Sequence, residues 1–128
     1  MVQSLKQVLA VLGAIAFVGP SAVNALGCYT SGETYASVGS DADIKSAASS
    51  ACDAMAGSYE AGGSKSQCST IGSNRVNWSV KNNAGNELTL SSADCLAAMT
   101  IEINACSMGS VQNHGSFQYQ DDPNAGTC

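Results

Sequence analysis

Basic residues are scarce in this 128-residue chain: five Lys and Arg stand against ten Asp and Glu. Four of the five (Lys45, Lys65, Arg75 and Lys81) are scattered singly rather than clustered. Nucleic-acid backbones and anionic membranes are bound through clustered cations, so neither is expected as a partner. Histidine is rarer still: His114 stands alone, and no C-x-x-C pair occurs. A zinc site therefore has little to build on, and neither a metal nor a cofactor is expected. Large apolar side chains are few and alanines many, which implies a thin core that needs covalent staples. With no internal repeat and no long linker, one domain accounts for the length.

The N-terminus reads as three zones. Met1 to Lys6 carries one positive charge, and Val8 to Val18 is an uncharged apolar run. Pro20 follows, and Val23-Asn24-Ala25 places small residues where a signal peptidase reads. The apolar run is short for a bilayer span, which takes about 20 residues. The reading is a signal peptide over residues 1–25, cut after Ala25, and a secreted single domain over residues 26–128. Loss of Lys6 leaves a net charge of −6. The polar C-terminus has no hydrophobic tail, so neither membrane insertion nor a C-terminal lipid anchor is expected.

All six cysteines (Cys28, Cys52, Cys68, Cys95, Cys106 and Cys128) follow the leader. An even count in a short exported chain reads as three disulfides, with the pairing open from sequence alone. Hydrophobic periodicity suggests how the cysteines are carried. Ser40 caps a helix over roughly 41–60, with Ile44, Ala47, Ala48, Ala51, Cys52, Met55 and Tyr59 on one stripe and Gly62-Gly63 as its end. Ser91 or Ser92 caps a second helix, with Cys95, Leu96, Met99, Ile103 and Cys106 on a stripe and Gly109 as its end. Leu26 to Thr34 reads as extended, and Ser64 to Ile71 reads as a strand. Gly72-Ser73-Asn74 is a turn, and Arg75 to Lys81 alternates as the clearest strand, with Val76, Trp78 and Val80 inward. Asn82 to Asn86 reads as a hairpin loop leading to a partner strand over Glu87 to Leu90. Val111 to Ser116 reads as loop, Ser116 to Asp121 as a last strand, and Asp122 to Gly126 as a turn. The class is α+β, with an antiparallel sheet and two main helices. Helix-to-following-strand geometry favours Cys52–Cys68 and Cys106–Cys128, which leaves Cys28–Cys95.

Several segments of the second half form a distinctive set: Trp78-Ser79-Val80-Lys81-Asn82, Leu88-Thr89-Leu90, Asp94-Cys95-Leu96, Glu102-Ile103-Asn104-Ala105-Cys106, and the closing Asp122-Pro123-Asn124-Ala125-Gly126-Thr127-Cys128. Together they resemble the small secreted fungal glycan-binding proteins of the ink-cap lectin (Y-three-like) family. The chain departs from that pattern at Gly109-Ser110, where a Gly-Gly pair is expected. The resemblance implies a single-domain α/β/α sandwich, pairing of two sheets into a homodimer, and binding of glycans or glycoproteins.

Sugar recognition uses a stacking aromatic beside planar amides and carboxylates. Tyr119 with Gln118, Asp121 and Asn83 is the site expected from sequence, while Trp78 is read as core because it shares a register with Val76 and Val80. Asn77-Trp78-Ser79 is a glycosylation sequon, with Asn77 on the strand face opposite Trp78. Catalysis is not expected. A small acidic ribonuclease is the competing reading, with Arg75, Glu87 and His114 converging on a phosphate, but a second proton donor is missing. Paired carboxylates for glycoside cleavage (Asp121-Asp122 or Asp41 with Asp43) read more simply as solubility and capping. A secreted effector or toxin without sugar binding is the third class.

Overall fold

A computed structural model describes residues 27–128, and the leader expected over residues 1–25 lies outside them. In chain order the elements are β1 (Gly27–Cys28), α1 (Tyr35–Val38), α2 (Asp41–Met55), β2 (Gly57–Tyr59), β3 (Ser64–Ile71), β4 (Asn74–Asn82), β5 (Leu88–Leu90), α3 (Ser92–Ala105), β6 (Ser110–His114) and β7 (Phe117–Ala125). All strand pairs are antiparallel, in a five-stranded sheet ordered β1-β6-β7-β4-β3 and a two-stranded β2-β5 ribbon. The α+β class with two main helices and three disulfides is as expected.

Both long helices start where a serine can cap them. Ser40 Oγ accepts from Asp43 N at 3.1 Å, and Ser91 Oγ accepts from Asp94 N at 3.0 Å. α2 stops earlier than the apolar stripe suggests. Gly57 takes φ 119°, a backbone state open to glycine, and the chain turns there into β2. Tyr59 therefore leaves the helix stripe but stays buried, and its hydroxyl donates to Met55 O at 2.6 Å.

The β3–β4 hairpin follows the expected turn, with Ile71 opposite Asn74 and Gly72 at φ 61°. β4 does not pair with Leu88–Leu90, as the hairpin reading has it; its other neighbour is β7. Asn82 is the cause. It is fully buried, its Oδ1 accepts from Ala84 N at 2.8 Å, and its Nδ2 donates to the carbonyls of Tyr59, Glu60 and Asn86. An asparagine side chain that substitutes for backbone partners in this way bends the chain off the sheet. β5 then runs beside β2.

Two segments read as loop and turn are strand. β6 is joined to β7 through Gly115-Ser116, with His114 opposite Phe117. β7 runs through Pro123 to Ala125. Proline lacks the N–H that a central strand needs. Here the β6 ladder ends at Ser110 opposite Asp121, so no β6 ladder bond is lost at Pro123, which is buried with Gly109 close to its Cδ.

The core lies between one face of the five-stranded sheet and the helices. Val76, Trp78, Val80, Phe117 and Tyr119 from the sheet meet Ile44, Ala48, Met55, Met99 and Ile103 from α2 and α3. Trp78 is 1% exposed, and its Nε1 donates to Ser69 Oγ at 3.0 Å. Among the described residues, α1, α2 and α3 all contribute to this core.

The disulfides pair differently from the expectation. They are Cys28–Cys106, Cys52–Cys95 and Cys68–Cys128. Cys52–Cys68 fails because Cys68 sits opposite Asn77 on the outer face of β3, away from the helix layer. The stripes of α2 and α3 face each other, so Cys52 meets Cys95 with Cα atoms 5.6 Å apart. Cys106 caps α3 and reaches β1, which leaves Cys68 to hold the C-terminus.

Candidate functional site

Strand alternation decides which side chains reach the outer face of the five-stranded sheet. On β4 they are Arg75, Asn77, Ser79 and Lys81; on β7 they are Gln118, Gln120, Asp122 and Asn124, each directly opposite a β4 residue. Ser66 of β3 and Val111 of β6 extend the Ser79–Gln120 row on either side. The result is a half-buried face of hydroxyls, amides and carboxylate over which no helix of the described residues lies.

Hydrogen bonds orient these groups. Asn77 Oδ1 accepts from Arg75 Nε at 3.0 Å and from Asn124 Nδ2 at 2.9 Å. Ser79 Oγ donates to Gln120 Oε1 at 3.2 Å, and Gln120 Nε2 donates to the Tyr29 hydroxyl at 2.7 Å. Tyr29 follows β1 and lies half-buried against this face. Burial is the main force raising its pKa, the Gln120 hydrogen bond opposes the rise, and the charges of Asp122 and Asp121 add to it. Arg75 is engaged by main chain, with Nη1 2.6 Å from Ala125 O, so its charge holds the C-terminal segment. A groove of about 310 Å³ runs along the face beside Ser66, Asn77, Ser79 and Gln120.

The four residues expected to bind sugar do not form one cluster. Tyr119 and Asp121 point to the core side and are 2% and 0% exposed. Tyr119 packs edge-on against His114 and near Phe117. Asp121 accepts from Ser110 Oγ at 2.5 Å and from the Tyr35 hydroxyl. Its pKa rises to about 7, because burial outweighs those two hydrogen bonds. Gln118 is on the outer face, and exposed Asn83 donates from Nδ2 to Asn113 Oδ1 at 3.3 Å. Since Asn113 is opposite Gln118, Asn83 and Gln118 both lie toward the same end of the open face, joined only through Asn113. Gln120, Asp122, Asn124 and Ser79 were missed. The signal was present, because Gln118, Gln120, Asp122 and Asn124 alternate at every second position from the segment read as a strand into the one read as a turn.

A second constellation lies across the molecule. Glu102 on α3 is 4% exposed, and its Oε2 is 2.6 Å from His114 Nε2. His114 is thus part of a paired strand end rather than a free loop histidine. His114 borders a groove of about 450 Å³ that also touches Tyr119, Ser116, Asp94 and Ile101. Arg75, Glu87 and His114 do not converge. Arg75 is opposite Asn124 at one end of the sheet, while His114 shares a row with Phe117 and Asn82 at the other. Seven strand residues separate those rows, roughly 23 Å. Glu87 instead accepts from Ser58 Oγ at 2.6 Å. Asp121 and Asp122 point to opposite faces, and Asp41 pairs with Lys45 at 3.3 Å, so neither pair of acids flanks a cleft. Among the described residues no cluster of three or more His, Cys, Asp or Glu could hold a metal, and no helix is long and apolar enough to cross a membrane.

No known family model matches the chain, and no curated protein matches it.

Proposed function

We propose that this is a secreted protein that binds glycans without catalysis, through the outer face of its five-stranded sheet. The observation that carries the reading is the uncovered grid of Asn77, Ser79, Gln120 and Asp122 with Tyr29 lying against it. Planar amides and a carboxylate suit pairs of sugar hydroxyls, and a tyrosine ring suits the apolar face of a pyranose. The resemblance of the second half to fungal glycan-binding proteins points the same way. Three disulfides fit an oxidising, extracellular setting. β3 is a sheet edge, and antiparallel pairing of two such edges would make a homodimer that engages two glycans at once.

The test is a glycan array with the purified mature protein, repeated with Gln120→Ala and Asp122→Ala. The expected result is binding by the wild type and loss in both variants, with unchanged circular dichroism. Sedimentation at several concentrations checks the dimer; a monomer throughout removes the edge-pairing element.

The carboxylate-backed His114 beside its groove favours a second reading, a small secreted hydrolase such as a ribonuclease. Array silence with RNA cleavage that disappears in His114→Ala would install that reading in place of the first.

A further inference from the structure

The sequon Asn77-Trp78-Ser79 falls inside the candidate site. Asn77 is in the second strand of the five-stranded sheet counted from the β3 edge, opposite Cys68 on one side and Asp122 on the other. Its two hydrogen bonds both use the amide oxygen, and both partners, Arg75 and Asn124, belong to the neighbouring row on one side. The oxygen is held by that row, the amide nitrogen takes part in neither bond, and Asn77 lines the groove together with Ser79 and Gln120. Trp78, the middle residue of the sequon, is locked in the core on the opposite face, which keeps Asn77 facing outward.

We infer that Asn77 is an N-glycosylation acceptor whose attached sugar lies across the open sheet face, so that the glycosylated and ligand-binding forms of this protein are mutually exclusive. The inference rests on the glycan-binding reading for the identity of the ligand, but the covering of the face does not. During export, Asn77 Nδ2 forms a bond to the anomeric carbon of a lipid-pyrophosphate-linked oligosaccharide. Nδ2 loses one proton, the anomeric C–O bond breaks, and the lipid pyrophosphate leaves with that electron pair. The second N–H remains, and the oxygen keeps its bonds to Arg75 and Asn124, so the folded register accommodates the product. The first sugar residue then sits beside Ser79 and Gln120, where a ligand would bind.

Tyr29 reports on the face independently of any ligand. The other three tyrosines, Tyr35, Tyr59 and Tyr119, are buried, so nitration by tetranitromethane reads Tyr29. The full chain with its leader is secreted from yeast, and sugar-bearing and bare fractions are separated on concanavalin A. Asn77→Gln confirms the attachment point by removing the mass increment. The expected result is that the bare fraction binds on a glycan array and is nitrated at Tyr29, whereas the sugar-bearing fraction loses both signals at an unchanged melting temperature. Equal nitration and equal array binding in the two fractions overturns the inference, as does secreted protein with no sugar at Asn77. If neither fraction binds any glycan while Tyr29 is shielded only in the sugar-bearing one, the covered face stands and the glycan-binding reading falls.

Discussion

Asp121 holds a carboxyl group where an ionised one is costly. It is fully buried, with Ser110 and Tyr35 as its side-chain partners among the described residues. Burial raises its pKa from the ordinary carboxyl value of 3.8 to about 7, and the charge of Glu102 adds to the rise. The folded state therefore binds a proton that the unfolded state has released between those two values. Stability from this group is fully present below about pH 4 and is lost as pH rises through about 7, on the order of 4 kcal/mol once it is fully ionised. Melting temperatures measured from pH 4 to 8 should fall with rising pH, and Asp121→Asn should flatten the curve. A wild-type curve that rises over this range would contradict the assignment. Trp78 belongs to the same scale. It is enclosed by the core and bonded to Ser69, so Trp78→Ala should cost about 3–5 kcal/mol by urea denaturation. A variant of normal stability that has lost only sugar binding would make Trp78 a ligand platform instead.

Among the elements, α2 and α3 depend most on a covalent link. Their apolar faces are short and rich in alanine, with Ala48, Ala51 and Ala98 at the contact, and Cys52–Cys95 joins them across 43 residues of chain. Closing a loop of that length in the unfolded chain corresponds to about 4 kcal/mol. Cys52→Ala with Cys95→Ala should lose about that much stability, and non-reducing peptide maps of the wild type should contain the 52–95, 28–106 and 68–128 linkages. Recovery of a 52–68 peptide from native protein would reject the helix-to-helix staple. The α3–β6 connection has a comparable pinch at Gly109, where φ is 93° and a Cβ would run into the Asp121 carbonyl and come within 2.9 Å of Pro123 Cδ. Sequence reading found Gly109 as a helix end. It could not show that β7 passes directly behind it.

At the scale of the whole molecule, one face of the sheet is covered by helices and the other carries polar groups in register. That asymmetry separates two roles: the covered face, with Trp78, Tyr119 and Asp121, holds the fold, and the polar face carries the proposed ligand site. Export is the remaining expectation at this scale. Intact mass of secreted material should correspond to a chain starting within a few residues of Leu26, and a retained leader in the medium would refute the cut after Ala25.

Local chemistry was sufficient for much of the architecture. Serine caps at Ser40 and Ser91, the alternation from Val76 to Val80 and the Gly72-Ser73 turn act within a few residues, so the sequence by itself determined both long helices, the β3–β4 hairpin and the inward face of Trp78. The even cysteine count determined that there are three staples. Only tertiary structure decided which cysteines meet, because pairing depends on whether two helices lie side by side. It also decided the partner of β4, since the buried amide of Asn82 gains its hydrogen bonds from carbonyls brought in by β2 and the following loop. The candidate site divided in the same way. Gln118 and Asn83 were legible as exposed polar groups near a sheet end. Tyr119 and Asp121 were misplaced because the face that a strand buries is set by what packs on it, and Asn77, Ser79 and Gln120 became a site only when β4 and β7 were laid in register.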